Sequence, residues 1–309
     1  MLDGVPRSYP FVQVDVFTDR IFGGNQLAVF LDPDGLSDTE MQSIAVEMNL
    51  AETTFVFRPT RPDFAARVRI FTPGRELPFA GHPTVGTAWV LARCGRLPAG
   101  KREVVLEEGI GPVPVRIEGD LSAPERIWMS HRDAEWSPPL PNRAAFASAL
   151  SLNEAELLPD QPVRVGSTGL PFLFIPLRTP EAVDRAVPDM RALSTAAPAE
   201  RVGVFVFAPD PERGPGRVYS RMFAGDTIGV PEDSATGSAS GPLGAYVAER
   251  HVLGESSDDP IQILSLQGNR MGRPSLIYIR LRLREGRATE IEVGGGVVPV
   301  LEGVLTLPS

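Results

Sequence analysis

The 309-residue sequence contains one cysteine, Cys94, which rules out a disulfide framework and any CxxC zinc or redox motif. Histidine is nearly as scarce. Of the three present, His131 and His251 stand in no ligand-like spacing and no HExxH occurs, so no metal site is expected. Basic clusters are missing too. With a net charge of −9 and no Lys/Arg run, a nucleic-acid partner is excluded as an expectation. No apolar run approaches membrane-spanning length, and the opening MLDGVPRSYPFVQVDVF lacks the charged-then-apolar layout of a secretory signal. A soluble, cytoplasmic protein without a membrane partner is expected. The nucleophile elbow GxSxG, the Walker A loop and the Rossmann glycine pattern are also absent.

What is present points to a large α+β protein. Hydrophobic residues make up 42% of the chain, enough for a sizeable core, and the length suits two domains better than one. The 30 glycines and 31 prolines predict short elements and frequent turns. Strand candidates run from Phe11–Val16 through Ala28–Leu31, Thr54–Phe57, Ala66–Phe71, Glu103–Leu106, Val202–Phe207 and Leu276–Leu283 to Glu290–Val293. Helices are fewer. Ser37 with Glu40 forms a capping box ahead of Met41, Ile44, Ala45 and Met48, Thr179 caps another helix, and Asn142–Leu150 starts a third. SPPLPNR, Ser137 to Arg143, is the best linker candidate.

The chain repeats itself. Arg69-Ile-Phe71, Glu76 and Gly81-His82 are followed by a helix; so are Arg221-Met-Phe223, Glu232 and Gly237-Ser238. A weaker echo sets Gly24 to Phe30 against Gly169 to Phe174. A duplicated unit follows, with two like domains related by an approximate two-fold axis. Their helix entrances at Gly81 and Gly237 would aim into one cleft, where backbone N–H groups hold an anion. In FAGHPTVGTAW, Pro83 suits a first helical position, with Thr84–Arg93 continuing until Gly95. His82 then lies at the helix mouth, either as a capping or packing residue or as a donor to substrate.

MNLAETTFVF, RIFTPGRELPFAGHPTVGTA, STGLPFLFIPL, RMFAGDTIGVPEDSATGSASGPLGAYV and QGNRMGRPS together resemble the PhzF-like family of phenazine-biosynthesis-type isomerases, from about Phe11 to the C-terminus. That resemblance implies the diaminopimelate-epimerase-like fold: two similar domains, each a β-barrel-like sheet around a central helix, with the site between them. The domains would be residues 1–136 with a returning strand at 295–309, and residues 137–294. It also implies a homodimer and a reaction without metal or organic cofactor. Carried over position by position, Glu52, His82 and Asp233 are catalytic, while Gly81, Gly237, Ser238 and Asn25 bind substrate. Gln26, Gly225 and Ser234 depart from the family pattern, and these departures bear on loop shape and hence on substrate choice. Loops 224–229 and 136–143 would set specificity.

Cysteine-type racemases of this fold carry a thiol before each glycine; here Ala80 and Thr236 stand there, which argues against two-thiol racemisation. The expected activity is a cofactor-independent isomerisation of a small carboxylate-bearing molecule. The alternatives are an epimerase or lyase with two opposed carboxylates, or a non-catalytic carboxylate binder. As the general acid/base, Glu52 would need a pKa raised toward neutrality by a partly dry site. Taken singly, each residue also has a plain reading: Glu52 a solvated turn carboxylate, Asp233 a turn or N-cap residue, Ser238 an N-cap. Trp89 reads as helix core, Glu107-Glu108 and Asp258-Asp259 as solvated turn charges.

Overall fold

The computed structural model describes residues 6–197, 203–224 and 231–308. Tertiary packing divides the chain into one unit of residues 1–129 with 295–309 and a second of residues 130–294.

The first unit contains β1 (Arg7–Val16), β2 (Asn25–Phe30), α1 (Asp38–Met48), β3 (Glu52–Phe57), β4 (Ala66–Phe71), β5 (Glu76–Leu77), α2 (Gly81–Arg93), β6 (Glu103–Glu108), β7 (Gly111–Asp120), β8 (Ala123–Ser130) and the final strand, β18 (Val297–Leu307). β1 lies antiparallel to β2, and β2 parallel to β3 across the α1 crossover. β3 is antiparallel to β4, which pairs antiparallel with β5 and parallel with β6. β6, β7 and β8 continue as an antiparallel meander, while β18 runs back along β1 from Arg7↔Leu307 to Val16↔Val297.

The sequence explains why α2 occupies the middle of this sheet. Gly81 to Ala92 are all buried, so the helix has no solvated face. It touches β1, β2, β3, β7 and β18, so the sheet curls round it in barrel fashion. Gly86 permits that approach: a Cβ there would stand 2.6 Å from Leu27 Cδ2 and 2.7 Å from Val16 Cγ2. α1 covers the outside. Its capping box forms as expected, Ser37 Oγ accepting from the Glu40 amide. Met41, Ile44 and Ala45 then pack against Phe30, Phe55 and Phe71.

The second unit contains β9 (Glu135–Trp136), α3 (Arg143–Ala149), β10 (Arg164–Ser167), β11 (Pro171–Pro176), α4 (Pro180–Arg185), α5 (Met190–Ala196), β12 (Gly203–Pro209), β13 (Arg217–Phe223), β14 (Glu232–Asp233), α6 (Gly237–Glu249), β15 (Ile261–Gln267), β16 (Ser275–Arg284) and β17 (Arg287–Gly295). Its pairing repeats that of the first unit strand for strand. β10–β11 is antiparallel and β11–β12 parallel. β12–β13 and β13–β14 are antiparallel and β13–β15 parallel, before the antiparallel β15, β16 and β17. α4 and α5 fill the crossover that α1 fills in the first unit. α6 is buried from Gly237 to Ala248, like α2.

The sequence echoes are thus structural. In the first unit the Arg69 guanidinium grips Glu76 with two hydrogen bonds of 2.7 Å. In the second, Arg221 grips Glu232 at 2.9 and 2.8 Å. Each pair locks a two-residue strand ahead of a central helix, and each arginine lies over the phenylalanine two residues on, 5.1 Å from Phe71 and 4.6 Å from Phe223. The α+β class with two similar units, each built round a helix, is the observed architecture.

Boundaries differ in places. α2 begins at Gly81, so Pro83 is its third residue; its missing N–H costs nothing there because the first turn has no intrahelical acceptors. Val202, proposed as a strand start, lies outside the described residues, as do Gly225 and the loop 225–229. Ser137 to Leu140 is irregular chain within the second unit, held by Ser137 N–H to Val165 O and Leu140 N–H to Val163 O, both 2.8 Å.

Candidate active site

In the first unit three of the anticipated residues converge because three elements start at one place. Glu52 is the first residue of β3, Asn25 the first of β2, and His82 the second of α2. All three are buried, with 6%, 3% and 3% of their surface exposed. Glu52 is therefore no surface carboxylate. It sits where the parallel register places it, opposite Leu27.

The histidine's proton can be located from its neighbours. Asn25 Nδ2 lies 3.1 Å from His82 Nδ1. An amide nitrogen only donates, so Nδ1 accepts and the proton resides on Nε2. Nε2–H then faces two acceptors, the Gln26 carbonyl at 3.3 Å and Glu52 Oε2 at 3.3 Å. Burial pushes the His82 pKa down to about 3, against the opposing pull of the Gln26 carbonyl. The ring is neutral at pH 7, so its 3.3 Å approach to Glu52 Oε2 is not an ion pair. Gln26 departs from the family pattern, yet its backbone oxygen serves regardless of side chain.

Gly81 opens α2, and its N-cap, Ala80, has no side chain able to cap. The first-turn amides of Gly81 and His82 consequently receive no N-cap hydrogen bond.

Asp233, Gly237 and Ser238 are residues of the second unit. Asp233 ends β14 and Ser238 is the second residue of α6, so Ser238 is not the N-cap of its plain reading, and of the turn or N-cap reading of Asp233 only the turn remains. The N-cap is Thr236. Its hydroxyl, which a capped helix would point at its own first turn, donates instead to Asp233 Oδ2 at 2.7 Å. Gln267, fully buried at the end of β15, braces this turn: Nε2 donates to Asp233 O at 2.8 Å and Thr236 Oγ1 at 2.9 Å, while Oε1 accepts from Thr236 N at 3.2 Å. Asp233 and Ser238 are 7% exposed. The entrance to α6 thus repeats that of α2, a helix start whose N-cap side chain makes no capping bond to the first turn.

The sequence marks Thr236 only as standing where a racemase thiol would and gives Gln267 no role, although both lie in segments that resemble the family. A bracing role leaves no signature except the repeat itself. Glu108 was misread outright. It is 5% exposed and faces inward from the end of β6. His131 is half-buried, its Nδ1 2.7 Å from Thr168 Oγ1. Among the described residues no group of His, Cys, Asp and Glu could hold a metal ion, and no helix is long and apolar enough to cross a membrane.

Residues 14–303 match the phenazine biosynthesis-like protein family PhzC-PhzF. A trans-2,3-dihydro-3-hydroxyanthranilate isomerase of Pseudomonas chlororaphis is 37% identical over 96% of this chain and 99% of its own. Among solved structures, a PhzF-family phenazine biosynthesis protein from Bacillus anthracis superposes with a TM-score of 0.85 at 25% identity, covering 97% of this chain and 99% of the other. A hydroxyproline epimerase from Agrobacterium vitis shares the fold at TM-score 0.69 and 11% identity, over 98% and 94% of the two chains. With the family covering nearly its whole length, the chain belongs to the PhzC-PhzF phenazine biosynthesis-like family and is an isomerase.

Proposed function

We propose that this isomerase moves a proton between carbons of a small carboxylate-bearing substrate by general acid/base catalysis, with Glu52 as the group that carries it. The observation that bears most on this reading is the buried Glu52 carboxyl 3.3 Å from a neutral His82 whose tautomer Asn25 fixes. A neutral ring places no cation beside the carboxylate. Glu52 can then accept a proton from carbon and return it, instead of being tied up as an ion pair. His82 Nε2–H is a donor that orients Glu52 or polarises a substrate oxygen. The amides of Gly81, Gly237 and Ser238 are assigned to the substrate carboxylate, because helix starts without N-cap bonds favour an anion. Asp233, held by Thr236, orients a polar substituent.

One acid/base group serving both transfers fits a shift along an unsaturated system, whereas inversion needs donors on two faces. The P. chlororaphis relative isomerises trans-2,3-dihydro-3-hydroxyanthranilate, an unsaturated amino acid with these features. That compound is the first substrate to try. Wild-type protein should convert it. Glu52→Gln should keep its thermal stability while kcat falls by roughly 10² or more, the usual contribution of a positioned general base. Wild-type turnover matched by the Gln variant would remove Glu52 from the mechanism. In deuterated solvent the shift should leave configuration intact; scrambling would favour the two-carboxylate epimerase instead. The family resemblance further leads us to propose a homodimer, which light scattering on a sizing column would reveal as twice the chain mass.

A further inference from the structure

Glu108 has no part in the chemistry above, yet its surroundings are unusual for a carboxylate. Its Oε1 lies 2.6 Å from Thr84 Oγ1, and its buried Oε2 has no hydrogen-bond partner among the described residues. Thr84, in turn, stands four residues into α2 and lies 2.8 Å from the Ala80 carbonyl at the helix entrance. A hydroxyl has one hydrogen. Both contacts carry a hydrogen only if the Thr84 proton goes to the Ala80 oxygen, which can only accept. The short contact with Glu108 then needs a hydrogen from the carboxyl itself. An ionised carboxylate would also leave a negative oxygen buried without a donor, which is costly. Burial accordingly drives the Glu108 pKa up to about 8.

The second unit has, at the equivalent position, a residue that is neutral at every pH. Glu108 is the last residue of β6 and Gln267 the last of the equivalent β15, and each is followed by glycine. Both glycines press on the residue two before the N-cap: a Cβ on Gly109 would stand 2.8 Å from Pro78 Cα, and one on Gly268 would stand 2.6 Å from Ser234 O. Gln267 Nε2 donates to the Thr236 hydroxyl. Ser240 Oγ reaches the Thr236 carbonyl at 2.9 Å, as Thr84 reaches that of Ala80. Glu108 stands where Gln267 stands, and there the second unit has a donor, aimed at the N-cap hydroxyl of Thr236 rather than at the residue four further on.

We propose that Glu108 is a positioning residue for the entrance of α2. Held as a neutral carboxylic acid, it donates to Thr84 Oγ1, which donates to the Ala80 carbonyl and fixes the turn presenting the Gly81 amide and the His82 ring. The functional consequence rests on the reading of His82 and Gly81 as site residues; the protonation and the bracing do not.

Three single variants and one double variant test it. Infrared difference spectra at mildly acidic pH, wild type minus Glu108→Gln, should contain the C=O stretch of a protonated acid; a carboxylate band in its place overturns the proposal. Glu108→Gln supplies the N–H donor that Gln267 supplies, so hydrogen exchange across residues 79–86 should match wild type. Glu108→Leu and Thr84→Val should both speed that exchange, and the double variant should add nothing further. Exchange unchanged in both single variants defeats the bracing claim, and the infrared band decides the protonation even if Glu108→Leu fails to fold. With trans-2,3-dihydro-3-hydroxyanthranilate as substrate, loss of one bracing hydrogen bond should lower kcat roughly tenfold at nearly constant KM, restored in Glu108→Gln. A wild-type protein inert toward that compound counts against the proposed function alone.

Discussion

At the residue scale, two buried groups, His82 and Glu108, and the half-buried His131 have pKa values moved far enough to be read in stability against pH. Burial lowers His82 to about 3 and His131 to about 4, from an ordinary value of 6.5. Both rings stay neutral in the folded chain while the unfolded chain takes up protons. Their contribution to stability is therefore full above about pH 6.5 and is lost as pH falls toward 3 to 4, at about 1.4 kcal/mol per pH unit for each ring. Glu108 acts in the opposite sense. Raised from 4.5 to about 8, it contributes stability that is full below 4.5 and lost as pH rises through 8. Urea titrations against pH should show both limbs. His131→Gln should flatten the acid limb, and Glu108→Gln should flatten the alkaline one. An unchanged alkaline limb in Glu108→Gln would show that the carboxyl is ionised in the folded protein. The sequence hid this residue for a traceable reason. The strand candidate stopped at Leu106, leaving Glu107-Glu108 as turn charges; extending it two residues puts Glu108 on the buried face with Val104 and Leu106. Glu52 and His82 were legible through motif resemblance, but their burial was not, since it comes from three chain starts meeting in space.

At the element scale, the long periodic and capped segments were readable and the short ones were not. The Ser37–Glu40 box, the Thr179 cap and the Asn142 cap each act on local backbone, and each helix begins where its cap dictates. β5 and β14 are two residues long, and β10 is four with a glycine inside, so they carry no periodicity to read. They exist because neighbours offer a ladder. The central helices were legible from Pro83 and from the repeat rather than from a polar face: buried all round, α2 and α6 have little amphipathic signal, and their glycines argue against helix by propensity. Gly86→Ala weighs these forces directly. Alanine gains about 1 kcal/mol over glycine in a helix interior. Its methyl would meet Leu27 and Val16 below 3 Å, and overpacking costs about 1–3 kcal/mol. Net destabilisation is expected from a lower urea midpoint at constant slope. A stabilised variant would mean that β1 and β2 yield to the helix more easily than the close contact implies.

At the scale of the whole chain, duplication explains both the repeated strand pairing and the one feature that breaks it. The second unit is continuous in sequence, whereas the first is completed only by β18, which supplies β1 with a partner for its entire ten residues. Val14 and Val16 of β1 are fully buried, and Val16 lines the close approach of Gly86. The C-terminal strand therefore supports the face on which α2 rests. Removing residues 296–309 should leave β1 with an unpaired edge, a poor arrangement in water and prone to association. Hydrogen exchange should then rise along Arg7–Val16 and into α2, while β15 and β16 keep their protection, because their ladder is closed within a contiguous segment. Equal loss of protection in β15 and β16 would mean that the two copies melt as one cooperative body. Protection retained in β1 would mean that β2 alone holds it, and that the returning strand is dispensable to the helix carrying His82.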